Sequence, residues 1–172
     1  MELNRNMIIY LDMDEVVADW FGHVSKLLNK TWENNIVRIP PEDWAELLKH
    51  QRVYRDLPLK KDAHALVRWC QMYCIENPDC ELRFLTAIPS GNDMPWAVHD
   101  KVWWAHHNFP GIPVFIGPYS KDKFQHCEPD DILIDDREEN ITAWLAAGGR
   151  AHMYRSWDEC RPWLENTLWQ HD

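Results

Sequence analysis

Asp12 and Asp14 stand one residue apart directly after the apolar run MIIYL at 7–11, and Asp135 and Asp136 follow a second apolar run, ILI, at 132–134. Residues i and i+2 of an extended or just-turning segment share a face, so Asp12 and Asp14 can point into one cavity while Met13 points away. If the two strand ends meet, the four carboxylates converge. Each like-charge pair at roughly 4 Å and an effective dielectric near 20 costs about 4 kcal/mol before screening, so the group requires a proton or a cation. A hard divalent ion such as Mg²⁺ suits an all-oxygen ligand set. Aspartates also cap helices that follow strands, but a cap needs one carboxylate and each of these strand ends offers two.

The elements that must position these groups follow from periodicity. Short, wholly apolar runs read as strands buried on both faces, and open parallel sheets gather ligands beyond the strands' carboxyl ends. Besides 7–11, strands are expected at 81–87 (ELRFLTA), 112–117 (IPVFIG), 131–135 (DILID) and 150–155 (RAHMYR). Val16, Val17, Trp20, Phe21, Val24, Leu27 and Leu28 recur at helical spacing, which predicts a helix over 16–29. Pro40-Pro41 followed by EDWAELLKH opens another. Further helices are expected at 61–76, with Ala65, Leu66, Trp69, Cys70 and Tyr73 inward, at 95–108, and at about 138–147, where Gly148-Gly149 ends the helix. A closing helix begins near 158, with Pro162 in its first turn. Strands alternating with helices call for an α/β, three-layer, Rossmann-like parallel sheet core. Residues 22–75 are too many for one crossover and too aromatic for a linker, so they read as a small inserted helical cap over the acidic end, with 1–21 and 76–172 forming the core.

Composition narrows the function classes. A formal net charge of -10 argues against long nucleic acid as a partner, because phosphate backbones are bound through clustered Lys and Arg. Five cysteines form an odd set without paired C-x-x-C spacing, which fits reduced thiols. No apolar stretch approaches the roughly 20 residues of a membrane span, and MELNRN lacks a signal peptide's apolar centre, so a soluble, cytoplasmic protein without a membrane partner is expected. The nine histidines show no metal-ligand spacing and are assigned to surfaces, whereas Trp69, Trp103, Trp104, Trp144, Trp163 and Trp169 fall in helical patterns and are assigned to the core.

Four segments, LDMDEVVADW, RFLTA, YSKDKF and ILIDDREEN, occur in the order and strand contexts of a known signature. With them the chain resembles, over its whole length, the haloacid-dehalogenase superfamily of phosphohydrolases. VADW, the helical insertion, and LIDDR with a nearby Asn look most like the 5'(3')-deoxyribonucleotidases. The resemblance implies a Mg²⁺-dependent phosphomonoesterase acting on nucleoside monophosphates, deoxyribonucleotides preferred. Asp12 would be the nucleophile that forms an aspartyl-phosphate, and Asp14 the general acid and base, its backbone carbonyl also on the metal. Asp135 would complete the metal site, with Asp136 a neighbouring partner or alternate ligand. Thr86 would hold a phosphoryl oxygen, helped by backbone N–H groups near Met13 and Ala87. Lys121 and Lys123 both precede the DILIDD strand, and an extended segment would put them on one side; spacing to Asp135 favours Lys123, with Lys121 a second phosphate contact. Trp20 matches the position where these nucleotidases set an aromatic against the base, and Trp44 and Tyr54 are further candidates. Glu15 departs from the glycine usual in the superfamily, and its expected role is a favourable charge at a helix start. A 3'-phosphatase of polynucleotide ends, a phosphatase of another small phosphate metabolite, and a catalytically silent binding protein are the rival readings. The acidic charge and the cap count against the first, and the intact Asp12 and Asp14 count against the last. A homodimer stays open.

Overall fold

The structure, a computed structural model, describes residues 6–32, 39–89, 94–117 and 119–169. Five parallel strands, β1 (Met7–Leu11), β2 (Cys80–Ala87), β3 (Val114–Gly117), β4 (Ile132–Asp135) and β5 (Arg150–Met153), lie in the order β3-β2-β1-β4-β5. Helices α1 (Trp20–Leu28), α2 (Pro41–Leu47), α3 (Ala63–Glu76), α4 (Ala97–Asn108), α5 (Glu138–Ala146) and α6 (Trp157–Leu168) connect them, together with a 3₁₀ helix at Ser120–His126. The expected α/β parallel sheet is thus present, with β1 at its centre.

Alternation along β1 sends its side chains to two cores. Ile9 and Leu11 join Leu66, Cys70, Phe84, Trp104 and Leu164 in the larger one, and Ile8 and Tyr10 meet Leu133 and Trp144 in the smaller one. α3 packs against β2 and α6, so the helix that the sequence places inside 22–75 lies in the layer covering the sheet. Its inward residues are Ala63, Leu66, Val67 and Cys70, while Ala65 faces out.

Four expectations need correction. α1 starts at Trp20 rather than near 16, because the Met13 carbonyl accepts the N–H groups of Val16, Val17 and Ala18 in a tight turn, and Asp19 caps the new helix through Gly22 N–H at 3.1 Å. Val16 and Val17 are buried all the same. Pro162 lies beyond the first turn of α6, since Ser156 caps the helix through Glu159 N–H and helical residues begin at Trp157. Trp169 is 56% exposed, whereas Trp104 and Trp144 are core as expected. Among the histidines, His152 is half-buried against Trp163 at 5.0 Å rather than on the surface.

Candidate active site

Register brings the acidic residues together. Leu11 pairs with Ile134 on one side and with Phe84 on the other, so β1 and β4 end within a residue of each other while β2 runs on three residues to Ala87. The residues that follow, Asp12 and Asp135, emerge side by side, and Asp12 N–H donates to the Ile134 carbonyl at 2.9 Å. Lys123 Nζ lies 2.7 Å from Asp12 Oδ1 and 2.7 Å from Asp135 Oδ2. Asp12 Oδ1 also accepts the Met13 N–H at 2.8 Å. Asp135 is held from all sides: Asn140 Nδ2 donates to both its oxygens at 3.0 Å, and Arg137 N–H donates to Oδ1 at 2.9 Å. Ser120 Oγ in turn accepts from Asn140 Nδ2 at 2.9 Å.

Ligand oxygens of Asp12, Asp135 and Asp136 lie within 4.8 Å of one another, the group among the described residues that could share an ion. One buried ammonium does not balance three carboxylates. Burial, with Asp135 and Asp14 adding repulsion, pushes the Asp12 carboxyl up to about 6 despite Lys123. Burial, reinforced by Asp12 and Asp135, pushes Asp136 up to about 8. For Lys123 burial alone would lower the pKa, but the charges of Asp12 and Asp135 hold it above the usual lysine range. A site that raises carboxyl pKa values in this way, on oxygen donors alone, fits a hard divalent cation.

The Asp14 carboxylate does not join that trio. Its Oδ2 accepts from Lys101 Nζ at 2.5 Å, and its Oδ1 is buried without a hydrogen-bond partner among the described residues. Lys101, which nothing in the sequence patterning singles out, is fully buried in α4 and also donates to Thr86 Oγ1 at 3.0 Å. Its ammonium sits 4.3 Å from the centroid of the Tyr54 ring, a favourable cation–π arrangement. The Tyr54 hydroxyl is pushed well up, by burial first and by Asp14 second.

A cavity of about 630 Å³ opens above Asp12 and Asp14. Trp20, Trp44, Tyr54, Ala87, Lys121, Lys123 and Asp136 are among the residues that line it, so these sequence-derived candidates do share one cavity. Trp20 is 8% exposed and stacks on Tyr54 at 4.8 Å with the rings 13° from parallel, with Trp44 at 6.3 Å. Thr86 is buried at the end of β2 behind Ala87. The two lysines part company. The 3₁₀ helix turns about 120° per residue, so residues two apart cannot share a face as they would in extended chain. Lys121 is exposed at the rim, and Lys123 is 2% exposed.

The sequence that builds this arrangement matches a family model over most of its length. The sequence model described as 5' nucleotidase, deoxy (pyrimidine), cytosolic type C protein (NT5C) matches residues 6–153. The chain belongs to this family. It is a phosphoric monoester hydrolase of the 5'-nucleotidase class, on a haloacid-dehalogenase-like fold, and the class implies a small nucleotide substrate. Among solved structures, a hydrolase from Streptococcus pneumoniae TIGR4 has a TM-score of 0.51 at 15% identity, over 94% of this chain and 99% of that one. The HAD-hydrolase YfnB from Bacillus subtilis, bound to magnesium, has a TM-score of 0.50 at 14% identity, over 90% and 91%. A HAD family enzyme from Bacteroides thetaiotaomicron, a mutant in complex with magnesium and inorganic phosphate, has a TM-score of 0.50 at 8% identity, over 91% and 98%. At these identities the likeness establishes the shared fold. None of the curated proteins compared matches this nucleotidase. No helix among its described residues is long and apolar enough to cross a membrane.

Proposed function

We propose that this nucleotidase is a Mg²⁺-dependent phosphomonoesterase that releases phosphate from nucleoside 5'-monophosphates, deoxyribonucleotides preferred, through an aspartyl-phosphate on Asp12. The observation that carries the reading is the unpartnered, buried Oδ1 of Asp14 next to an Asp12 whose hydrogen bonds both fall on Oδ1. Asp12 Oδ2 is then the oxygen for attack on phosphorus. As the P–O bond to the nucleoside breaks, Asp14 gives its proton to the leaving 5'-oxygen. In the second half Asp14 takes a proton from the water that attacks the aspartyl-phosphate, and Asp12 is regenerated with free phosphate. Lys123 holds Asp12 in place and offsets charge on the transferring group. Thr86, which accepts from Lys101, keeps its own O–H for a phosphoryl oxygen, and the Ala87 N–H and the rim residue Lys121 are further contacts.

Asp12 and Asp136, which line the cavity, would hold Mg²⁺ together with Asp135 and the Asp14 carbonyl. The ion would supply Lewis-acid neutralisation of phosphoryl oxygens. The segment between α1 and α3 is the proposed cap, and its Trp44, with the cavity side of the Trp20–Tyr54 stack, is the proposed base wall. Stacking on such a wall is worth about 1 to 3 kcal/mol per base. Fluoroberyllate with Mg²⁺ tests the nucleophile, since it mimics the acyl-phosphate only where a carboxylate oxygen can bind beryllium. Wild-type protein is expected to be inhibited stoichiometrically and Asp12→Asn to be both inactive and indifferent. Normal turnover by Asp12→Asn would remove the assignment.

A further inference from the structure

Glu15 stands immediately after Asp14 with φ at 62°, a left-handed conformation that glycine adopts freely and other L-residues adopt under strain. A side chain kept at such a position needs a reason, and its two oxygens supply one. Oε1 accepts the Phe21 N–H at 2.8 Å, one of the donors that the first turn of α1 leaves unpaired. Oε2 accepts from Lys60 Nζ at 2.8 Å, with Glu15 17% and Lys60 31% exposed. Phe21 opens the limb by which the chain leaves the sheet, and Lys60 lies on the limb by which it returns. The limbs run antiparallel at this point: Asp19 N–H donates to the Pro58 carbonyl at 2.8 Å, Lys60 N–H donates to Val17 O at 2.9 Å, and Ala18 pairs with Leu59. The Glu15 N–H also donates to Ala18 O at 2.8 Å.

We propose that Glu15 and Lys60 form a clamp that fixes both limbs of the insertion, and with them the Trp20–Tyr54 wall, at a set distance from Asp14. Glu15 is thereby a positioning residue for substrates that must touch wall and acidic pair together. The proposal rests on the nucleotide reading above. A nucleoside monophosphate spans both features; p-nitrophenyl phosphate, with no base or sugar, needs only the acidic end.

The test is steady-state kinetics on a deoxynucleoside 5'-monophosphate and on p-nitrophenyl phosphate, with thermal melts, for wild type, Lys60→Met, Lys60→Arg, Glu15→Gln and Glu15→Gln/Lys60→Met. Losing one charged hydrogen bond should lower kcat/KM for the nucleotide about 5- to 30-fold in Lys60→Met and in Glu15→Gln, chiefly through KM. Lys60→Met should leave p-nitrophenyl phosphate within about twofold, Lys60→Arg should restore the nucleotide value, and the double variant should be no worse than either single one. Glu15→Gly, which relieves the strain while removing the clamp, should show the nucleotide loss without a lower melting temperature. Equal losses on both substrates, additive losses in the double variant, or nucleotide kinetics indifferent to every substitution would each overturn the clamp. Wild-type protein inactive on the nucleotide would overturn the nucleotide reading itself, a result distinct from these.

Discussion

Lys101 places its side-chain nitrogen between the Asp14 carboxylate and the Thr86 hydroxyl, with the Tyr54 ring on a third side. Replacing it by Met leaves Asp14 free to rotate and a buried hydroxyl without its donor. Lys101→Met is therefore expected to lower kcat by about 100-fold, the lower end of what a positioned acid/base contributes, with a smaller effect on KM. An unchanged kcat would show that the contact only packs α4. The raised Asp12 and Asp136 carboxyls make a second prediction at this scale. Their folded values, about 6 and about 8, lie above the unfolded value of 3.8, so the metal-free fold keeps protons that the unfolded chain has lost. The stability this confers is present at acidic pH and is lost as pH rises through those folded values. A cation must displace the same protons. Mg²⁺ affinity should thus rise at least about 10-fold from pH 5.5 to pH 8, and the melting temperature gained on adding Mg²⁺ should be larger at pH 8. Equal gains at both pH values would exclude these carboxyls as the ligands.

At the scale of elements, α6 carries an exposed proline where a helix interior wants a donor. Pro162 leaves the Asp158 carbonyl without its i+4 partner, although it also restricts the unfolded chain. Restoring the donor should outweigh the lost restriction, so Pro162→Ala is expected to stabilise by about 1 kcal/mol, a rise of about 2 to 4 °C in melting temperature by calorimetry. A fall would mean that the ring packs or that the helix bends there by design. The sheet was legible chiefly because β1, β3 and the Ile132–Ile134 stretch of β4 are short apolar runs, with Asp12 and Asp135 directly after Leu11 and Ile134. The tight turn after Asp14 was not, since Val16 and Val17 are buried in either conformation and helical spacing cannot tell the two apart. Lys123 could be favoured over Lys121 by spacing, but the divergence of the two comes from the 3₁₀ geometry, which an extended reading missed. Lys101 left no signal at all: it is one charge in a Trp- and His-rich helix, and its burial depends on how α4 meets Tyr54, 47 positions earlier in the chain.

Across the whole molecule, a net charge of -10 surrounds a cavity whose floor is itself acidic. Such a field disfavours extended polyanions, and on the proposed reading a small phosphate ester would approach where cations gather, at Lys121, Lys123, Arg137 and the metal that the acidic trio would hold. α4 also ties the returning limb of the insertion to the sheet: Arg52 forms a two-point ion pair with Asp100 at 2.7 and 2.5 Å, and Trp104 Nε1 donates to the Leu57 carbonyl at 2.6 Å. The cavity therefore has one side tied to the sheet, and the proposed chemistry needs Asp12 and Asp14 together with the metal that the acidic trio would hold. The most direct measurement is phosphate release from a panel of nucleoside 5'-monophosphates, with Mg²⁺ and after exhaustive EDTA treatment. Hydrolysis that favours deoxyribonucleotides, vanishes with EDTA and returns on adding Mg²⁺ is the predicted result; full activity in EDTA, or no release from any nucleotide in the presence of Mg²⁺, would contradict the account.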